Sequence, residues 1–160
     1  PHLKDQIRII HNIQNFGVAE TRKRGLKAAV GEYVAWVDSD DWVEPNMLEK
    51  MWEATNNGAI DIVVQNVYRE VYRDNRIEKN WVWKLYSAND PQEALALYYT
   101  DKFVPWGLPF QMSRRSLITS ASLLVHNVTI TEDTIMIIYL FSMAKSCVWL
   151  EQSFYHYTTI

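Results

Sequence analysis

Apolar runs and helical patterns alternate along the first sixty residues of the chain. Short apolar runs, which are typical of buried strands, lie at residues 7–10, 32–37 and 60–64. Between them, residues 18–29 and 45–57 carry apolar side chains at helical spacing, and Gly31 and Gly58 follow as helix stops. This order predicts an α/β fold in which a mostly parallel sheet is covered by helices.

The second half of the chain predicts a small antiparallel insertion and further helices. Alternating segments at 67–72 and 77–83 flank Asp74-Asn75, as in a hairpin. Asp90 and Pro91 are typical of a helix start. We expect the remaining elements to be an aromatic loop at 103–112, a helical turn at 114–118, an apolar helix at 132–144 and a strand pair at 148–150 and 154–157.

The absence of repeats and linkers from the sequence predicts one domain over residues 1–160. We expect a nucleotide- and metal-binding part at about 1–66 and an acceptor-side part at about 67–160. Because the chain begins with Pro1 and its first predicted element is already a strand, we expect it to be truncated at both ends.

Composition narrows the class of protein. The chain has 160 residues, 48% of them hydrophobic, and a net charge of -3, which argues against a nucleic-acid partner. Its one cysteine, Cys147, has no internal partner for a disulfide and lies in an apolar stretch, which favours a cytoplasmic protein and a buried, inert thiol. No apolar stretch approaches the roughly 20 residues that span a bilayer.

The acidic segment Asp38-Ser39-Asp40-Asp41 follows the predicted strand 32–37 and places three carboxylates within four residues. Ligands of open α/β sheets bind at the carboxyl ends of strands, and carboxylates suit Mg²⁺ or Mn²⁺ on a diphosphate. An EF-hand is excluded because Trp42 and Val43 stand where an oxygen ligand and a glycine are needed. The remaining alternative is that the acids only cap the helix after Pro45.

Three further sites carry candidate chemistry. Glu132 and Asp133 open the last long helix, where one of them is either a helix cap or a general base. Arg22, in a basic cluster on the first helix, is suited to pairing with a phosphate. Trp106, in the aromatic loop, is either part of the core or a platform for a sugar ring.

With these residues in place, the chain resembles family 2 of the glycosyltransferases, which have the GT-A fold. The resemblance rests on four stretches in the family's order: Asn15-Phe16-Gly17-Val18 to Arg22-Lys23-Arg24-Gly25-Leu26, Gly31-Glu32-Tyr33 to Asp38-Ser39-Asp40-Asp41-Trp42, Trp106 to Arg114-Arg115-Ser116-Leu117, and Thr131-Glu132-Asp133. Lys23 departs from the asparagine that is common there.

The resemblance implies an inverting transfer of a sugar from a nucleotide diphosphate sugar to the hydroxyl of a glycan or lipid-linked acceptor, in bacterial cell-surface polysaccharide synthesis. Asp40 would bind the metal, and Asp38 would lie near the ribose or the metal. Asp133 would be the base, with Glu132 its less favoured substitute. Arg22 would lie near the nucleotide.

The same resemblance implies that the family's opening β-α-β segment is missing, so we expect the 160-residue chain alone to be inactive. It also implies a location at the inner face of the membrane, because acceptors of such enzymes are often lipid-linked. Two alternatives stay open: another enzyme of metal-bound nucleotides, such as a nucleotidyltransferase, and a non-catalytic relic of the fold.

Overall fold

A computed structural model of the chain describes residues 6–74, 76–83, 87–88, 90–100, 107–123 and 132–159. The helices are α1 (Gly17–Ala28), α2 (Met47–Ala54), α3 (Pro91–Tyr99), α4 (Arg115–Leu123) and α5 (Glu132–Met143). The strands are β1 (Tyr33–Ala35), β2 (Trp42–Val43), β3 (Ile62–Arg73), β4 (Arg76–Trp83), β5 (Gln111–Arg114) and β6 (Cys147–Thr159).

The described strands form one six-stranded sheet in the order β1-β5-β3-β6-β2, with β4 paired to the outer part of β3. Strands β3 and β6 are parallel neighbours, whereas every other pair is antiparallel. The α/β class is therefore confirmed, but the sheet is mixed rather than mostly parallel. The reason is that β5 lies between β1 and β3 and runs against both.

The core lies between the middle of the sheet and the helices. Its centre is the first part of β3, where Ile62, Val63 and Val64 are fully buried. Met47 and Met51 of α2 and Leu140 of α5 are buried with them. Because β3 continues without a break through residue 66, the two predicted parts of the chain share one sheet and one core.

Local sequence signals place several helix starts correctly. Gly17 has φ +80°, a left-handed conformation that favours glycine, and its backbone N donates to Asn15 Oδ1 at 2.9 Å. At the start of α3, Asp90 Oδ1 accepts from the backbone N of Gln92 and of Glu93 at 2.9 and 2.8 Å. The predicted hairpin is also confirmed, since β3 and β4 pair on either side of Asp74.

The predicted strand at residues 7–10 is wrong. This segment has no strand partner in the described sheet, and Ile7 and Ile9 are 66% and 73% exposed. It lies instead beside α1, where Arg8 Nη1 donates to the carbonyl of Ala28 at 3.2 Å. Apolar residues alone do not make a strand, because its backbone groups also need a neighbouring ladder.

Two other expectations need correction. The predicted aromatic loop at 103–112 contains a 3-10 turn (Leu108–Phe110) and the first half of β5, while residues 101–106 lie outside the described part. The expected terminal strand pair is one long strand, β6, whose pairing with β3 shifts register near Asn66. A register irregularity lets a strand bend without ending. In the described residues, no helix has the length and apolar character needed to cross a bilayer.

Candidate active site

The acidic segment begins three residues after the end of β1, and one of its acids, Asp41, is hydrogen-bonded to β6. Asp41 Oδ2 accepts from the Tyr155 hydroxyl at 2.5 Å, and Asp41 Oδ1 accepts from the backbone N of Thr158 at 2.8 Å. The backbone N of Asp38 donates to the same Tyr155 oxygen at 3.1 Å. Asp41 therefore anchors the segment to β6 and does not cap α2.

The ionisation of these groups follows from their burial. Burial raises the pKa of Asp41 above its ordinary value, although the bonds from Thr158 and Tyr155 oppose the shift. Burial, together with the bond to Asp41, also raises the pKa of Tyr155, which keeps its hydroxyl protonated as the donor. Asp38 and Asp40 are left as the carboxylates of this segment that face outward, with Asp40 exposed and the Asp38 side chain 42% exposed.

Arg22 of α1 links the two predicted acidic sites. Its Nη1 donates to Glu132 Oε1 at 2.7 Å, and its Nη2 donates to Asp38 Oδ1 at 3.3 Å. The Arg22 and Glu132 side chains are only 11% and 8% exposed, so this is a buried ion pair. One guanidinium thus fixes the start of α5 against the end of β1.

Asp133, the other acid at the start of α5, lines a cavity of about 320 Å³ together with Asp38. Its Oδ1 accepts from the backbone N of Thr134 at 2.9 Å, which orients the carboxyl group at the helix start. The remaining walls of the cavity come from Arg69, Gly107, Pro109, Phe110 and Tyr157. Asp38 and Asp133 therefore line one cavity, whereas Glu132 forms an ion pair with Arg22.

The residues of this corner fit a cation that is shared with a phosphate ligand. In the described part of the chain, no group of three or more His, Cys, Asp or Glu side chains is arranged to hold a metal ion by itself. Mg²⁺, however, commonly uses one or two carboxylates and completes its shell with water and substrate phosphates. Asp38 and Asp40 are such a donor set.

Arg114 and Arg115, which belong to the third stretch of the family resemblance, make structural contacts. Arg114 Nε donates to Asp61 Oδ1 at 3.0 Å and Nη1 donates to Glu32 Oε1 at 2.8 Å, while Arg115 Nε donates to the carbonyl of Gly31 at 2.5 Å. Both arginines lie at the opposite end of β1 from Asp38, because Arg114 pairs with Tyr33.

The predicted acceptor-side residue, Trp106, lies outside the described residues. Gly107, which follows it in the chain, lines the cavity. The role of Trp106 remains a prediction.

Sequence reasoning missed several residues around the cavity. Arg69 and Tyr157 line it, and Tyr155 orders the acidic segment beside it. Two charged residues, Arg69 and Glu70, interrupt the aromatic and aliphatic side chains of the predicted strand at 67–72, and they were the available signal for Arg69. The two tyrosines lie in an aromatic strand that gives no such signal.

His156 lies on the opposite face of the sheet, since neighbouring strand residues point to opposite sides and Tyr157 faces the cavity. Its Nδ1 lies 2.8 Å from Glu70 Oε1 and its Nε2 lies 3.2 Å from Glu44 Oε1. The imidazole stacks on Trp42, with ring centroids 3.4 Å apart, and Trp42 Nε1 donates to Glu70 at 3.1 Å. The buried His156 and Glu70 side chains hold Trp42, the residue that follows the acidic segment.

Glu70→Gln is expected to lower the free energy of unfolding by about 1–3 kcal/mol at neutral pH, because it removes a charged acceptor from a buried cluster. Burial by itself raises the pKa of Glu70. The hydrogen bonds from His156, Trp42 and Tyr72 together outweigh this effect, so the pKa of Glu70 lies below its ordinary value of 4.5. The stabilisation is thus present above that value and lost as the pH falls through the folded-state pKa.

Urea unfolding at neutral pH and at about pH 4 measures this effect. The difference between wild type and Glu70→Gln should shrink at the lower pH, because the unfolded chain binds the Glu70 proton around its ordinary pKa of 4.5 while the folded protein resists it. An equal difference at both pH values would contradict a charged Glu70 in the folded protein.

Comparisons with known proteins agree with the fold. The S. aureus TarS structure in complex with UDP-GlcNAc matches with a TM-score of 0.65 over 90% of this chain and 39% of that chain, at 17% identity. At that identity the likeness shows the fold alone, which is the GT-A-like α/β fold expected from the sequence.

Sequence matches define the family. The model of Glycosyl transferase family 2 matches residues 2–123, so the chain belongs to this family. It is 28% identical over 158 residues to the uncharacterized glycosyltransferase EpsJ of Bacillus subtilis, covering 95% of this chain and 44% of EpsJ. It is 36% identical over 62 residues to the succinoglycan biosynthesis protein ExoO of Rhizobium meliloti, covering 39% of this chain and 18% of ExoO. The chain therefore spans less than half of these relatives.

Proposed function

We propose that the protein of which this chain is part transfers a sugar from a nucleotide diphosphate sugar to an acceptor hydroxyl with inversion, in bacterial cell-surface polysaccharide synthesis. The observation that carries the proposal is the shared cavity, with Asp38 of the acidic segment and Asp133 of α5 in its walls. Family membership supports the reaction class, and the UDP-GlcNAc complex of TarS and the name of ExoO support the donor and the pathway.

The cavity residues have distinct roles in this proposal. Asp133 is the general base that accepts the proton of the acceptor hydroxyl as that oxygen attacks the sugar. Glu132 is unsuited to this role because its carboxylate is buried against Arg22. Attack from the side opposite the leaving diphosphate inverts the anomeric centre in a single displacement.

Asp40 and Asp38 hold Mg²⁺ or Mn²⁺ in this proposal. A cation held by these carboxylates together with the donor would supply positive charge to the leaving diphosphate. Arg22 has a supporting role, because it fixes Asp38 on one side and the start of α5 on the other. Its expected proximity to the nucleotide stays a prediction.

Product analysis with the full-length protein tests the reaction class. Sugar transfer releases a nucleoside diphosphate and forms a glycoside of opposite anomeric configuration, which NMR coupling constants identify. Nucleotidyl transfer instead releases pyrophosphate, and a relic releases neither. Pyrophosphate release or a product of retained configuration would overturn the proposal.

Asp40→Asn is expected to weaken Mn²⁺-dependent UDP binding by about tenfold to a hundredfold, because it removes one charged ligand. Calorimetric titration of UDP with and without Mn²⁺ measures the change. Asp74→Asn, an exposed substitution at the β3–β4 turn, is the matched control and should bind like wild type. Equal loss of binding without Mn²⁺ would show that Asp40 acts on the fold and not on the cation.

A further inference from the structure

The cavity continues onto a row of three side chains that the family motifs do not include. In the β3 pairing, Arg69 lies opposite Trp81 on one side and Tyr157 on the other, so the three side chains share one face of the sheet. Arg69 and Tyr157 line the cavity with Asp133, and the Arg69 guanidinium lies 5.5 Å from the centroid of the Trp81 ring. The row thus runs across three neighbouring strands, from Tyr157 of β6 through Arg69 of β3 to Trp81 of β4.

The direction of this row separates it from the metal corner. Trp42, which follows the acidic segment, pairs with His156 of β6, and His156 pairs with Tyr68 of β3, so the acidic segment lies level with the Tyr157 end of the row. Arg69 lies one strand and Trp81 two strands further across the sheet than Tyr157, so the row leads sideways away from the acidic segment, where the donor diphosphate is proposed to bind.

The row has the chemistry of a binding surface for a charged sugar. Trp81 is 41% exposed although it is a large aromatic residue, and aromatic rings of this kind present an apolar face with a polar edge. Tyr157 is held in place by the edge-on contact of Phe110, whose centroid is 6.2 Å away. Arg69 is the basic side chain among the described residues of the cavity wall, and a guanidinium recognises carboxylate or phosphate oxygens in bidentate fashion.

We infer that Trp81, Arg69 and Tyr157 form the acceptor subsite, and that the acceptor is a glycan whose sugar units carry an acidic group. The inference rests on the proposed function and names the substrate class of the same site. Trp81 and Tyr157 contact the sugar rings, and Arg69 pairs with the carboxylate or phosphate. The pairing places a neighbouring hydroxyl of the acceptor toward Asp133.

The test compares three probes that differ only at one sugar carbon: methyl glucuronide, methyl glucoside 6-phosphate and neutral methyl glucoside. Saturation-transfer NMR with the full-length protein should give at least one acidic probe an affinity about tenfold or more above that of the neutral probe. Which acidic probe binds tells carboxylate from phosphate. Arg69→Gln should abolish the preference, and Trp81→Phe should retain it.

Arg73→Gln, an exposed substitution on the same strand, is the matched control and should leave the preference unchanged. The inference is overturned if wild type binds the acidic and neutral probes with equal affinity, or binds none of them. It is also overturned if Arg69→Gln binds UDP more weakly than wild type does. UDP and GDP binding with Mn²⁺ is measured on the same samples. Absence of nucleotide binding in wild type would overturn the proposed function instead, while the sugar preference is judged separately.

Discussion

Replacing Asp133 by asparagine is expected to lower the rate of sugar transfer by about 10²–10⁴-fold, with Mn²⁺-dependent UDP binding changed less than about twofold. The range is the usual contribution of a general base to catalysis. Asparagine keeps the size of the side chain and can still accept from the backbone N of Thr134 through its amide oxygen. It cannot accept the acceptor's proton, so the loss falls on the turnover number. Steady-state kinetics with the full-length protein and UDP calorimetry measure the two quantities.

A matched control for this substitution is Glu49→Gln. Glu49 also lies in the first turn of a helix, α2, but it is exposed and is not part of the cavity wall. Its replacement should leave the transfer rate within about twofold of wild type, because an exposed acid at a helix start contributes only about 0.3–1 kcal/mol to stability. A transfer rate in Asp133→Asn that is within threefold of wild type, about 0.7 kcal/mol, would exclude Asp133 as the base.

The two acidic sites could be located from the sequence because each follows a local signal. Asp38 comes after an apolar run, and Asp133 comes at the start of an apolar helix. The two acids line one cavity because α5 packs near the end of β1. This packing joins distant parts of the chain and cannot be predicted from a local sequence pattern. The sequence likewise could not show that Glu132 is ion-paired while Asp133 lines the cavity. That difference depends on Arg22, which is 110 residues away from Glu132 in the sequence.

Helix boundaries were more predictable than strand pairing for a similar reason. Gly17 and Asp90 determine helix starts through bonds within three residues. The placement of β5 between β1 and β3 instead requires partners about 50 and 80 residues away, and the first half of β5 was predicted to be a loop. Continuity of β6 depends in the same way on β3, which supplies a partner along most of its length.

Substituting Arg22 with methionine is expected to lower the free energy of unfolding by about 3–5 kcal/mol. The substitution leaves Glu132, a nearly buried carboxylate, without the partner that lies 2.7 Å from it, and an uncompensated buried charge is costly. Urea unfolding followed by tryptophan fluorescence measures the loss. Arg24→Met is the matched control on the same helix: its pair with Glu20 at 3.5 Å is solvent-exposed, so its removal should cost less than about 1 kcal/mol.

A second substitution separates the buried charge from the lost packing. If the unpaired Glu132 carboxylate causes the loss, Glu132→Gln in the Arg22→Met background should restore at least about 2 kcal/mol, because the amide removes the charge and keeps the volume. The same double variant should also recover the cooperative transition of wild type. A loss below about 1 kcal/mol in Arg22→Met, or no recovery in the double variant, would mean that the link between α1 and α5 is not a buried ion pair in solution. The orientation of Asp133 at the start of α5 would then have to come from the backbone bond of Thr134 alone.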